Sequence, residues 1–162
     1  MRPGALQPAR TAALLVLLGA VLTVGGALYF ENVPGYIPCT LCLTERVPYY
    51  LTLPLAALAM IVPGRGPRLI LGLIALVMLY GAGLGAYHAG AEWGFWPGPS
   101  DCGGGSGSDP TEIGDFLKQL GEKQIVDCTE AAWRFLGISL AGWNALIALA
   151  LAAFAGRAAL RG

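Results

Sequence analysis

Four stretches of about 20 apolar residues run through this chain, and they leave few ways to fold it. Thr11–Phe30 is 20 residues without a charge, and Leu43–Val62 is another 20, charged only at Glu45 and Arg46 near its start. Leu69–Gly90 gives 22, with His88 near its end, and Leu136–Ala155 gives 20 more. At about 1.5 Å per residue, each spans roughly the 30 Å of a hydrocarbon core. In lipid a backbone must satisfy its own polar groups, so a spanning segment is a helix or part of a closed barrel. The alternating hydrophobicity of barrel strands is absent. The expectation is an all-α membrane protein, a four-transmembrane-helix bundle forming a single membrane domain over residues 1–162. Charge agrees: 12% of the residues are charged, about half the share found in soluble domains. The zero net charge gives no sign of nucleic-acid binding. The first segment has the basic start of a signal peptide, but its apolar stretch exceeds the roughly 7–15 residues of a signal core, and it reads as a helix.

Loop charges set the orientation, because Lys and Arg beside helix ends stay in the cytoplasm. Arg2 and Arg10 precede the first span, Arg65 and Arg68 lie between the second and third, and Arg157 and Arg161 follow the fourth. None of these three segments contains an acid. The other two loops, about 31–42 and 91–135, together with the adjoining start of the second span, hold all ten acidic residues and only Arg46, Lys118, Lys123 and Arg134 as bases. Both termini are therefore expected in the cytoplasm of a bacterial cell, and both acidic loops in the periplasm. Cys39 and Cys42 fall in the first of these loops, Cys102 and Cys128 in the second. Disulfides persist in that compartment, so the cysteines read as two redox pairs.

Cys39-Thr-Leu-Cys42 is a C-x-x-C, a small ring that is readily reduced when oxidised. Zinc is a poor alternative: 25 residues separate Cys102 from Cys128, with no His between them, and no metal is expected. Pro48 is comfortable in a helix only within its first turn, which predicts a second helix beginning near Glu45, just after Cys42. A helix N-terminus and the Arg46 guanidinium then both favour a Cys42 thiolate. The plainer reading of Arg46 is an interfacial arginine paired with Glu45.

Trp93, Phe95 and Trp96 form an aromatic patch suited to the interface, or to the wall of an aromatic cofactor site. Cys102-Gly-Gly-Gly-Ser-Gly-Ser108 is flexible by composition. Asp109-Pro110-Thr111-Glu112 predicts the start of a short amphipathic helix that puts Ile113, Phe116, Leu117 and Leu120 on one face and stops at Gly121. His88 is the single histidine, and a lone interfacial His is commonly just a hydrogen-bonded group. Gly81, Gly83 and Gly85 read as a small-residue helix contact, and Asn144 as a polar tie between helices.

Pro38-Cys-Thr-Leu-Cys-Leu-Thr-Glu-Arg46 after one span, then Tyr87-His88, Cys102, Cys128 and Trp133-Arg-Phe-Leu-Gly137, resembles the disulfide bond formation protein B (DsbB) family over nearly the whole chain. The resemblance implies an inner-membrane oxidase that reoxidises a periplasmic DsbA-like thiol oxidase and delivers the electrons to a quinone, ubiquinone or menaquinone. It further implies that Cys102 and Cys128 exchange with the partner and that Cys39 and Cys42 lie beside the quinone. Cys42 would be next to the ring, Arg46 would stabilise its thiolate, and His88 would be close by. A quinone also suits the energetics, since DsbA at about −120 mV is too strong an oxidant for ordinary thiol pools to regenerate. Two alternatives stand beside this reading. A thiol oxidase of the vitamin K epoxide reductase type would place its partner-facing cysteines before the C-x-x-C. A non-enzymatic four-helix protein with structural disulfides would need no C-x-x-C beside an arginine.

The orientation makes a direct prediction. Membrane-impermeant thiol reagents added to reduced, intact spheroplasts label all four cysteines. Labelling that requires the membrane to be broken would overturn the assignment.

Overall fold

The computed structural model describes residues 7–98 and 128–161. Among these residues it has four long helices: α1 (Gln7–Asn32), α2 (Thr40–Ile61), α3 (Gly66–Glu92) and α4 (Leu140–Leu160). A two-residue antiparallel hairpin, β1 (Arg134–Phe135) with β2 (Ile138–Ser139), leads into α4. Pro8–Asn32, Gly66–Glu92 and Leu140–Leu160 are long and apolar enough to cross a membrane. α2 has the length, but Glu45, Arg46, Pro48, Pro54 and two tyrosines dilute its hydropathy.

The packing is inverted relative to a soluble bundle. Small side chains fill the interior, with Ala13, Ala20, Ala56, Ala59, Ala148 and Ala155 fully buried, while Leu22, Leu69, Leu76 and Leu160 point outward. Lipid tails are as apolar as leucine, so helices in a membrane gain by close backbone approach rather than by hiding large side chains. α4 packs chiefly along α3. At Gly85 the two backbones meet: a Cβ there would sit 2.8 Å from the Ala145 nitrogen and 3.1 Å from the Ala141 carbonyl oxygen. Gly81, one turn earlier, receives the Pro48 ring of α2, 3.1 Å from its Cβ position. The small-residue contact expected at Gly81, Gly83 and Gly85 thus holds at the two that share a face, while Gly83 has open space around it.

Helix boundaries depart from the sequence expectation at two places, each with a physical cause. α2 begins at Thr40, not near Glu45, because Cys39 is extended (ψ 169°) and its sulfur caps the Cys42 N–H. Pro48 and Pro54 then lie inside the helix. Burial of Pro48 against Gly81 outweighs its helix-breaking tendency. The fourth helix begins at Leu140 rather than Leu136, because Leu136 (φ 54°) and Gly137 (φ 82°) form the hairpin turn. Two central residues with positive φ match the twist of a two-residue hairpin. Ser139 then caps α4, accepting from the Gly142 N–H at 3.1 Å. The amphipathic helix expected after Asp109, like Cys102, lies outside the described residues.

The glycine geometry is testable by thermal denaturation in detergent. Gly85→Ala forces α3 and α4 apart and costs about 1–3 kcal/mol, whereas Gly83→Ala is neutral or slightly stabilising. Equal melting temperatures for the two variants would contradict the close approach.

Candidate active site

Cys39 and Cys42 flank the first turn of α2 with their sulfurs 3.0 Å apart. Both are free thiols here, close enough that a small rotation brings them to the roughly 2.05 Å of a disulfide bond. Their surroundings differ. Cys39 is 3% exposed, accepts from the Cys42 N–H at 3.3 Å, and has His88 Nε2 3.8 Å from its sulfur. Cys42 faces a cavity of about 330 Å³, at the small end of the roughly 300–1,000 Å³ of ligand pockets. Leu22 and Phe30 of α1 and Leu140, Trp143 and Ile147 of α4 wall the cavity. Cys42, Arg46, His88 and Glu92 supply polar groups along its lining.

Behind the thiols a buried polar network joins three helices. His88 of α3 donates from Nδ1 to Glu45 Oε1 of α2 at 2.7 Å, and Asn144 Nδ2 of α4 donates to Glu45 Oε2 at 2.6 Å. Tyr49, one turn beyond Glu45, donates to Asn144 Oδ1 at 2.7 Å. One turn beyond His88, Glu92 places Oε1 4.0 Å from His88 Nε2. Its other oxygen is buried without a hydrogen-bond partner among the described residues.

Arg46 points the other way. Its Nη1 donates to Glu31 Oε2 of α1 at 2.7 Å, with the two side chains 13% and 35% exposed. The alternative pairing of Arg46 with Glu45 is therefore not what forms, because Glu45 is consumed by His88 and Asn144. Arg46 and Cys42 line the same cavity, while His88 contacts Cys39 rather than Cys42.

Cys128 is buried and disulfide-bonded, and Ala132, shortly after it, lines the cavity. Trp93, Phe95 and Trp96 are absent from the cavity wall and instead make an exposed cluster. In it Trp96 stacks on Tyr87 at an interplanar angle of 13°.

Glu45, Tyr49, Asn144 and Glu92 are the site residues that spacing alone did not single out as a group. One signal was available: a carboxylate within an apolar span marks a functional position by default, and Glu45 lies one turn from Cys42.

Comparison with known proteins agrees with this geometry. The family model described as Disulfide bond formation protein DsbB matches residues 9–158. The chain is 34% identical to the Disulfide bond formation protein B of Nitrosomonas europaea over 153 residues, covering 88% of each chain. It is 32% identical to that of Methylococcus capsulatus over 157 residues, 92% of this chain and 93% of the relative. To that of a Polaromonas species it is 31% identical over 155 residues, 90% and 87% of the two chains.

The Cys39 environment yields a pH prediction. Hydrogen bonding from the Cys42 thiol, helped by His88 and the Cys42 N–H, holds the Cys39 thiol well below the ordinary thiol range against the opposing effect of burial. The folded-state value lies below the unfolded one. Its contribution to the stability of the reduced protein is therefore complete above about pH 8.5 and lost as pH falls through the folded-state value. With Cys102 and Cys128 replaced by Ala, the reduced protein keeps its ultraviolet thiolate absorbance at about pH 6, where an ordinary thiol is protonated. Loss of that absorbance near pH 8.5 would show that the contacts do not act on Cys39.

Proposed function

The chain belongs to the disulfide bond formation protein B family, and on that premise we propose that it is a protein-dithiol:quinone oxidoreductase of a bacterial inner membrane. Its electron donor is a DsbA-like periplasmic dithiol protein and its acceptor is ubiquinone or menaquinone. The observation that carries this reading is the placement of Cys42 and Arg46 in the lining of one apolar-walled cavity between α1 and α4. Apolar walls with a few polar groups suit a flat, lipid-soluble ring. When bound, a quinone supplies an acceptor for two electrons and two protons.

All four helices span the membrane in this proposal, with both termini cytoplasmic. α2 qualifies as a span because Glu45 and Thr52 are buried against its neighbours rather than exposed to lipid. The partner's dithiol reduces the Cys102–Cys128 disulfide and leaves as a disulfide. Exchange between that pair and Cys39–Cys42 then carries the two electrons to the boundary of the cavity. Cys42, facing the cavity, is the sulfur from which they leave. Arg46 keeps a permanent cation on the lining, and its Glu31 partner offsets the cost of burying it.

Single-turnover quinone reduction, measured beside thiol exchange in the same purified variants, tests the scheme. Cys128→Ala leaves Cys102 able to trap the partner as a mixed disulfide, and Cys39→Ala leaves the partner reduced in steady turnover. Arg46→Ala removes a charge-assisted contact of about 1.5–3 kcal/mol and lowers quinone efficiency roughly ten- to a hundredfold, with exchange at Cys102–Cys128 intact. Arg46→Lys recovers part of the loss. Wild-type quinone reduction by Arg46→Ala would leave Arg46 as an interfacial anchor only.

A further inference from the structure

Closing a disulfide from two thiols releases two protons as well as two electrons. Cys42 faces the cavity, but Cys39 is buried away from solvent. Besides Cys42, the side chain at the Cys39 sulfur among the described residues is His88, through Nε2 at 3.8 Å. The Nδ1–H of that ring is committed to Glu45, so in the neutral ring Nε2 is the nitrogen that can take a proton. The same Nε2 lies 4.0 Å from Glu92 Oε1, at the last residue of α3. Glu92 has a 4% exposed side chain, a second oxygen with no hydrogen-bond partner among the described residues, and a place in the cavity lining. A buried carboxylate oxygen with an open acceptor position, between an imidazole and a cavity, is placed to pass a proton on.

We propose that His88 takes and holds the Cys39 proton when the Cys39–Cys42 bond closes, that Glu92 carries it on to the cavity, and that Glu45 is the positioning residue that aims the ring. The step balances. Once the Cys42 sulfur is bonded to its leaving group it no longer donates to Cys39, so buried Cys39 holds its proton. That S–H bond breaks, its proton goes to His88 Nε2, and its electron pair makes the bond to Cys42. The bond from Cys42 to its leaving group breaks, and the departing group takes that electron pair. The inference rests on the proposed function for its acceptor in the cell, but the step itself needs only a leaving group on Cys42. Among the described residues, the groups that face His88 are Cys39, Cys42 and Glu45 from α2 and its cap, and Glu92 from α3. Asn144 of α4 and Tyr49 of α2 act through Glu45, and the Arg46–Glu31 pair shares the cavity.

The test uses the full-length chain with Cys102→Ala and Cys128→Ala, reduced, in quinone-free detergent, and mixed with oxidised glutathione. Cys42 forms the mixed disulfide, and attack by Cys39 then releases glutathione. Saturating oxidant makes this intramolecular step limit the rate. The parent closes at a rate nearly flat from about pH 6 to 8, the range where an imidazole can act as the base. His88→Gln and Glu92→Gln each close roughly tenfold slower or more near pH 6 and recover toward the ordinary thiol range. Glu92→Asp and Glu45→Asp restore part of the rate, as a merely structural role would not. A parental pH profile in either glutamine variant overturns the route as stated. Should His88→Gln fail to fold, Glu92→Gln decides alone. With no quinone present, failure of the parent chain to reduce quinone would remove the proposed function and leave this result standing.

Discussion

A carboxylate inside an apolar helix bundle is the constraint around which this molecule is arranged. Glu45 is 7% exposed and receives hydrogen bonds on both oxygens, from His88 on α3 and Asn144 on α4. Removing either donor would leave a buried charge under-satisfied, a far larger penalty than an ordinary packing defect. Both donors are short side chains, so they reach Glu45 only if α2, α3 and α4 approach closely. The bare backbone at Gly85 and the seat of Pro48 on Gly81 permit that approach. Tyr49 fixes the Asn144 amide by holding its oxygen, which leaves the nitrogen for Glu45. The small-residue interior and the polar network are one design: the first supplies the distance that the second requires.

The same constraint divides the labour of the two cysteines. Cys39, at the helix cap, is turned toward the imidazole that Glu45 orients, and Cys42 is turned toward the apolar cavity. A pair of thiols in one uniform environment would have to release electrons and protons through the same opening. Here the polar side and the apolar side are separated by the width of a single helix turn. In the proposed scheme, an apolar wall suits the sulfur that meets a lipid-soluble acceptor, and a hydrogen-bonded wall suits the sulfur that loses its proton.

Much of this was legible in the residues. Apolar runs of about 20 residues gave the helices, and the C-x-x-C with Arg46 led to the cavity lining that Cys42 and Arg46 share. Two kinds of feature were not. The start of α2 depended on a cysteine sulfur acting as the cap, which propensity does not anticipate, and on tertiary burial of Pro48 overriding its local preference. The partners of Arg46 and His88 depended on long-range geometry: Arg46 lies next to Glu45 in sequence yet binds Glu31, while Glu45 binds a histidine on another helix. Adjacent residues on a helix point about 100° apart, so neighbours in sequence rarely share a partner. Asn144 was readable as a polar tie between helices, but not as a tie to Glu45 and Tyr49.

That 100° divergence also explains how one helix serves two neighbours. Glu45 turns toward α3 and α4, and Arg46, the next residue, turns toward α1. α1 contributes apolar Leu22 and Phe30 to the cavity, and in the described residues its one acidic side chain, Glu31, is the one that meets Arg46. An ion pair of this kind gains little at an exposed surface, but here it joins α1 to α2 along the lining that holds Cys42. It ties together two helices that wall the cavity. Without Glu31 the guanidinium would be drawn outward to water at the interface, as long basic side chains generally are. The Glu31 carboxylate keeps the positive charge on the lining that Cys42 shares.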